Sequence, residues 1–98
     1  MKIEVSEQDI AAGTPCSEEA CPVALALYRV IAGGYEVLDG GIVKLNPVGC
    51  AIYVNADSIL IIGPDEEHEF TLPYVVSNLI YDYDSGKGMD PFGFMIAD

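Results

Sequence analysis

Four side chains of this chain are of the kinds that bind zinc, namely Cys16, Cys21, Cys50 and His68. A structural zinc ion takes four cysteine or histidine ligands in a tetrahedral arrangement. The first two cysteines have the spacing C-x4-C, which is wide for a zinc motif, and Cys50 and His68 each stand alone. The alternative is that Cys21 and Cys50 are small buried apolar residues and that His68 lies on the surface. The spacing favours this alternative.

The same residues also allow a cysteine–histidine nucleophilic pair. Cys21 precedes Pro22 at the predicted start of a helix, where a thiol pKa is lowered. However, the chain has a single histidine and no recognisable asparagine or aspartate to orient it. It also lacks the G-x-x-x-x-G-K pattern of a phosphate-binding loop. We therefore expect no enzymatic activity, no bound metal and no cofactor.

The acidic residues are the most unusual feature of the composition. Sixteen Asp and Glu residues face four Lys and Arg residues, which gives a formal net charge of −12 and a pI near 4.1. Such a charge argues against direct binding to nucleic acid or to an anionic membrane surface. It favours a basic partner, or it serves solubility alone.

The arrangement of the acids indicates a binding surface. Asp65–Glu69 contains four acids in five residues. In an extended segment, alternate side chains lie about 6.6 Å apart on one face, a distance on the scale of neighbouring backbone phosphates. Asp82 and Asp84 fall in the last turn of a predicted helix, where the helix dipole disfavours carboxylates. Because these acids oppose local preference, we expect them to meet basic groups of a partner.

The predicted partner-binding surface has two ranks of acidic residues. The first rank is Asp65, Glu66, Glu67, Glu69, Asp82, Asp84 and Asp90, and the second rank is Glu18, Glu19, Glu36, Asp39 and Asp57. Tyr74 and Tyr81, on the exposed side of the same predicted helix, would add aromatic contact area.

These residues are positioned by a core helix and by elements around it. The longest apolar run, Cys21–Ala32, reads as a helix with Pro22 in its first turn and glycine after its end. Because this helix is apolar almost all round, it should be buried by the rest of the chain. A short helix is predicted after Ser6. A third should follow Pro73, with Leu72, Val75, Val76, Leu79, Ile80 and Tyr83 on its apolar face.

The remaining apolar segments predict strands. These are residues 2–5, 35–38, 42–45, a central hairpin of 50–54 and 58–62, an extended edge segment at 65–70, and 91–96 beside the N-terminal strand. The fold class is therefore α+β, with two or three helices on one face of a mostly antiparallel sheet of about four to five strands. The whole chain, 1–98, is expected to be a single, monomeric domain.

Targeting features are not evident. Residues 1–12 have no apolar core of a signal peptide, and the longest apolar run is shorter than the roughly 18 residues that span a membrane. We therefore expect a cytoplasmic protein without membrane contact. Its three cysteines should remain thiols.

Several core and turn residues resemble a pattern in small phage- and prophage-encoded proteins. They are Asp9-Ile10, Gly13, Cys21–Leu27, Leu72-Pro73, Ile80, Asp82, Asp84 and Pro91–Phe94. The similarity touches most of the chain outside residues 35–70. Because these positions are core and turn residues, the resemblance implies a shared fold more than a shared activity.

Strongly acidic phage proteins of this size include inhibitors of host defence such as anti-CRISPR and anti-restriction proteins. By analogy of class and charge with these proteins, we expect an anti-CRISPR-like inhibitor that acts in the cytoplasm of an infected bacterial host. Its acidic, DNA-mimicking surface would block the Lys/Arg-rich nucleic-acid channel of a defence complex. Two alternatives stay open, an accessory protein that binds a host enzyme through a mixed apolar surface and a small Cys/His zinc protein.

Overall fold

The computed structural model describes residues 1–45 and 49–96, and its α+β class confirms the prediction. The helices are α1 (Glu7–Ala12), α2 (Pro22–Ile31) and α3 (Tyr74–Asp84). The strands are β1 (Lys2–Val5), β2 (Tyr35–Val37), β3 (Val43–Leu45), β4 (Ala51–Val54), β5 (Ser58–Ile62), β6 (Glu67–Thr71) and β7 (Phe92–Met95). A 3-10 turn, Asp39–Gly41, joins β2 to β3.

The strands pair in three antiparallel sheets within the described residues, rather than in one. β1 pairs with β7, β2 pairs with β3, and β4, β5 and β6 form a three-stranded sheet with β5 in the centre. The β1–β7 pair brings the two ends of the described chain together, as predicted. There the N-terminal amine of Met1 donates to the carbonyl of Ile96 at 3.0 Å.

Helix α2 forms the core, as its sequence predicts. Every side chain from Cys21 to Tyr28 is at most 3% exposed. The helix packs against α1, β1 and β4. Fully burying a leucine such as Leu25 or Leu27 stabilises the fold by about 1.5–3 kcal/mol. Cys21 caps the helix, because its sulfur accepts a hydrogen bond from the N–H of Ala24 at 3.4 Å.

Helix α3 has a narrower buried face than its sequence suggests. Val76 and Ile80 are buried, whereas Val75, predicted to face the core, is 67% exposed. Val76 and Ile80 are four residues apart and so lie on one side of the helix. Val75 lies beyond the margin of that stripe. Tyr74 and Tyr81 are 80% and 69% exposed, as predicted.

A buried carboxylate joins the first helix to the core. Asp9 is 0% exposed, and its oxygens accept hydrogen bonds from Arg29 at 2.9 Å, Tyr35 at 2.5 Å and the N–H of Ser6 at 2.9 Å. The Arg29 guanidinium also donates to the carbonyl of Glu4. Burial alone would raise the pKa of Asp9, but the hydrogen bonds from Arg29, Tyr35 and Ser6 together hold it below its ordinary value of 3.8.

The outer edge of β4 is closed by hydrogen bonds from outside its sheet. The N–H groups of Ile52 and Val54 point away from β5. They donate to the Tyr28 hydroxyl at 3.0 Å and to the Glu18 carbonyl at 2.8 Å. Helix α2 and the loop before it therefore satisfy the two outward N–H groups of this strand.

The substitution Asp9→Asn should lower the free energy of unfolding by about 2–3 kcal/mol at neutral pH, since it weakens a buried pair whose arginine still reaches solvent. Urea unfolding followed by circular dichroism measures this loss. Glu7→Gln, an exposed acid of the same helix, is the matched control and should change stability by less than about 0.5 kcal/mol.

The pH dependence of that loss has a definite sign. Because the pKa of Asp9 is lowered by folding, its contribution is complete above the ordinary value of 3.8 and declines as the pH falls below it. The difference between wild type and Asp9→Asn should therefore shrink towards about pH 2. A difference that stays constant down to that pH would contradict the assigned role of the negative charge.

The substitution Tyr28→Phe should destabilise the chain by about 1–3 kcal/mol, because it leaves the buried N–H of Ile52 without an acceptor. The control is Tyr53→Phe, at a half-exposed position on the opposite face of β4. Equal melting temperatures for Tyr28→Phe and wild type would show that the N–H finds water instead.

Candidate functional site

The acidic run at 65–69 lies at an edge of the three-stranded sheet, as predicted. Glu67 and Glu69 are exposed on β6, opposite Ile62 and Leu60 of β5. Asp65 does not share their strand, because the chain turns between Gly63 and Glu66, whose N–H and carbonyl are 2.8 Å apart. The face expected for Asp65, Glu67 and Glu69 is therefore formed by the two glutamates.

Asp65 and Glu66 lie in the turn before β6, beside His68 of that strand. The Glu66 carboxylate is 3.3 Å from His68 Nε2, and both side chains are exposed to solvent. A protonated His68 would offset one charge of the run. Among the described ion pairs, Glu67 and Glu69 have no positively charged partner.

The two acids at the end of α3 lie on different sides of the helix, since residues two apart do not face each other. Asp82 shares a shallow surface cavity with Asp90, and its Oδ1 is 3.7 Å from Lys87 Nζ. Asp84 faces Cys16 instead, and its Oδ1 accepts the Cys16 N–H at 2.8 Å. The first-rank acids therefore fall into three groups, namely the run at 65–69, Asp82 with Asp90, and Asp84 beside Cys16.

The second-rank acids are exposed at four further positions. Glu18 and Glu19 lie in the loop before α2, and Glu36 lies on β2 opposite Lys44. Asp39 is in the 3-10 turn, and Asp57 is in the turn between β4 and β5. Glu18, of the second rank, and Asp84, of the first rank, line the same cavity. The structure therefore brings these two acids together.

That cavity has a volume of about 220 Å³ and lies between α3 and the segment from Cys16 to Cys21. Its apolar lining includes Val54, Ile80 and part of Tyr81. Pockets for small-molecule ligands usually measure about 300–1,000 Å³. The cavity is therefore small even for a compact ligand.

The thiols in this cavity differ in exposure. Cys16 is exposed and has a left-handed backbone, with φ of 61°. Cys21 is buried, and burial raises its thiol pKa, with a smaller contribution in the same direction from the charge of Asp84. The helix N-terminus was expected to lower the pKa of Cys21, and this expectation is wrong because desolvation outweighs it. Cys21 therefore acts as a helix cap.

The four potential zinc ligands fall into two pairs. Cys16 and Cys21 line the cavity beside α3, whereas Cys50 and His68 line another cavity near Gly63. Across residues 1–45 and 49–96, no three His, Cys, Asp or Glu side chains are placed to hold one metal ion. The geometry therefore gives no support to the zinc alternative.

One feature of the surface was not anticipated from the sequence, namely an apolar tip on the β2–β3 hairpin, where Val37, Leu38 and Ile42 are 48%, 43% and 64% exposed. The turn signal at Asp39–Gly41 placed these residues at a hairpin tip and could have indicated their exposure. The edge position of β6 was predicted, and its outer edge has no partner strand in the described part of the chain.

Comparison of the chain with protein-family models, curated proteins and solved structures finds no match. Among the residues that the structure describes, no helix combines the length and the apolar character required to cross a membrane.

The two cavity cysteines should react with alkylating reagents at very different rates. We expect iodoacetamide to modify Cys16 in the folded protein and Cys21 after denaturation, since the reactive thiolate form requires access and a low pKa. Peptide mass spectrometry after timed quenching measures both rates. Equal rates in the folded state would instead identify Cys21 as an activated thiol.

Proposed function

We propose that this chain is a non-catalytic binding protein whose acidic surface occupies a Lys/Arg-rich nucleic-acid channel of a partner. In its fuller form, the proposal is an anti-CRISPR-like inhibitor that excludes DNA from a host defence complex in a bacterial cytoplasm. The observation that carries it is a net charge of −12, with twelve of the fifteen acids in the described residues on exposed side chains.

The internal ion pairs leave most of this charge available. Among the described residues, the bases Lys2, Arg29 and Lys87 each lie within 4 Å of an acid, at Glu4, Asp9 and Asp82. Exposed acids such as Glu67 and Glu69 belong to none of the described ion pairs. Basic side chains of a partner would meet them through charge-assisted hydrogen bonds.

The acidic run at 65–69 is the best candidate for mimicry of a phosphate backbone. Glu67 and Glu69 are fixed by the ladder between β5 and β6. Alternate side chains of a strand project from one face at a spacing of about 6.6 Å. A pair on a fixed backbone loses less backbone freedom on binding than acids on a mobile loop. Asp65 and Glu66 extend the negative charge beyond the strand.

A second candidate function is supported by the apolar hairpin tip. Val37, Leu38 and Ile42 expose apolar surface beside Asp39, a combination typical of a mixed protein-binding patch. The chain would then be an accessory protein that binds a host enzyme, and its acidity would serve solubility. Such binding should depend weakly on salt, whereas binding by charge mimicry should weaken steeply.

A pair of charge-reversal variants tests the acidic run. The change Glu67→Lys with Glu69→Lys should abolish capture of nucleic-acid-binding proteins from a bacterial lysate, and added duplex DNA should compete with wild type for the same partners. The matched control is Glu4→Lys with Glu7→Lys, which has the same net charge and reverses two exposed acids outside the predicted surface.

Raising the salt from about 50 to 500 mM should weaken wild-type capture at least about tenfold if charge carries the binding. Loss of capture with both variants would mean that net charge alone decides binding. Retained capture with both, unaffected by salt, would contradict mimicry and favour the apolar hairpin.

A further inference from the structure

The two outer strands of the three-stranded sheet differ in how their edges are covered. The outer edge of β4 is covered, since Tyr28 and Glu18 accept the N–H groups of Ile52 and Val54. In contrast, across residues 1–45 and 49–96 no strand pairs with the outer side of β6. An unpaired edge of this kind is a template for another extended chain.

The hydrogen bonds at both ends of the β5–β6 ladder identify the groups that face outward. The N–H of Gly63 donates to the Glu66 carbonyl at 2.8 Å, and the N–H of Leu72 donates to the Asp57 carbonyl at 2.9 Å. Both pairs are in the register of the ladder, in which Ile61 is opposite His68 and Ile59 is opposite Phe70. Bonded and non-bonded positions alternate along an antiparallel pair.

It follows that His68 and Phe70 direct their backbone groups to β5. Glu67, Glu69 and Thr71, at the alternate positions, direct their N–H and C=O groups outward. The three residues are also exposed. Within the described residues, this edge therefore presents three N–H donors and three C=O acceptors without a backbone partner, together with two carboxylates.

The side chains along this edge specify what an added strand would contain. The side chains of Glu67, Glu69 and Thr71 share one face of the sheet. On the other face, the rings of His68 and Phe70 are stacked with centroids 6.3 Å apart. Residues of an added strand would lie about 5.5 Å, between Cα atoms, from the glutamates they pair with. Those residues should be basic, and the alternate ones, beside the two rings, should be apolar.

We propose that β6 binds an extended segment of a basic partner by strand addition, with lysine or arginine alternating with apolar residues in that segment. This inference rests on the proposed function for its basic partner. It adds that the outer edge of β6 is the surface that binds this partner. A second copy of this chain is a poor occupant of the edge. Antiparallel pairing centred on Glu69 would place the two Glu69 carboxylates directly opposite each other, which is destabilising.

The test uses the full chain and a synthetic probe, a capped hexapeptide in which lysine and valine alternate. Amide exchange followed by 1H–15N NMR reports each backbone group. In the unbound chain the N–H groups of Glu67, Glu69 and Thr71 should exchange fast, and His68 and Phe70 should be protected. Saturating peptide should slow exchange at the three outward amides by at least about tenfold.

Three matched comparisons separate backbone pairing from charge. Thr71→Pro removes an outward donor and should weaken peptide binding, whereas Thr71→Ala keeps that donor and should not. Because the N–H of Thr71 does not face β5, proline should be tolerated there. The change Glu67→Gln with Glu69→Gln should weaken binding about fivefold. A hexapeptide N-methylated at its pairing positions should fail to bind while leaving the protein unaltered.

The outcomes distinguish this inference from the proposed function. Slowed exchange at the outward amides supports strand addition even if no defence complex is captured. Equal binding of the N-methylated peptide, or of one with its lysines and valines in separate blocks, would overturn it and leave a charge-mimicking surface intact. Dimerisation of the chain with slowed exchange at the same amides would also overturn it, in favour of a second copy.

Discussion

The fold depends on the buried carboxylate of Asp9. A buried charge is strongly unfavourable unless it is paired and hydrogen-bonded. Here Arg29 from α2, Tyr35 from β2 and the backbone of Ser6 meet that requirement together. Because the three donors come from different elements, Asp9 is satisfied in one arrangement of α1, α2 and β2. The apolar surface of α2 lies in the core, and Asp9 selects how the neighbouring elements surround that helix.

The same interaction shapes the outer surface. Arg29 is one of four Lys and Arg residues, and its guanidinium is held by Asp9 and by the carbonyl of Glu4. Lys44 is the one base opposite an acid on a paired strand, since it faces Glu36 across β2 and β3. With few bases, and with the Arg29 guanidinium paired with buried Asp9, the exposed acids of β6 belong to none of the described ion pairs. The charge of the surface is thus linked to the way in which the core is fixed.

Local sequence patterns predicted the helices and strands. The pairing of the strands and the buried contacts of Asp9 depend on residues far apart in the chain, and the sequence did not reveal them. The Pro22 start, the glycines after α2 and the β4–β5 hairpin are local signals, and each is present. In contrast, the separation into three sheets depends on which distant strands pair, and short-range alternation does not encode that. Asp9 looked like an ordinary first-turn acid, because its partners Arg29 and Tyr35 are 20 and 26 positions away. Val75 was misplaced because helical periodicity does not give the width of a buried face.

The acids on β6 admit two physical explanations that differ in what the edge is for. Charged side chains on an edge strand keep copies of a chain from pairing, and this protection needs no partner. The same carboxylates also give selectivity. They lower the affinity of the edge for acidic and neutral strands and raise its affinity for basic strands. A proline or a bulge that removes the outward N–H donors would protect the edge equally well. β6 retains those donors at Glu67, Glu69 and Thr71 in a regular ladder, and that is the arrangement a recognition edge requires.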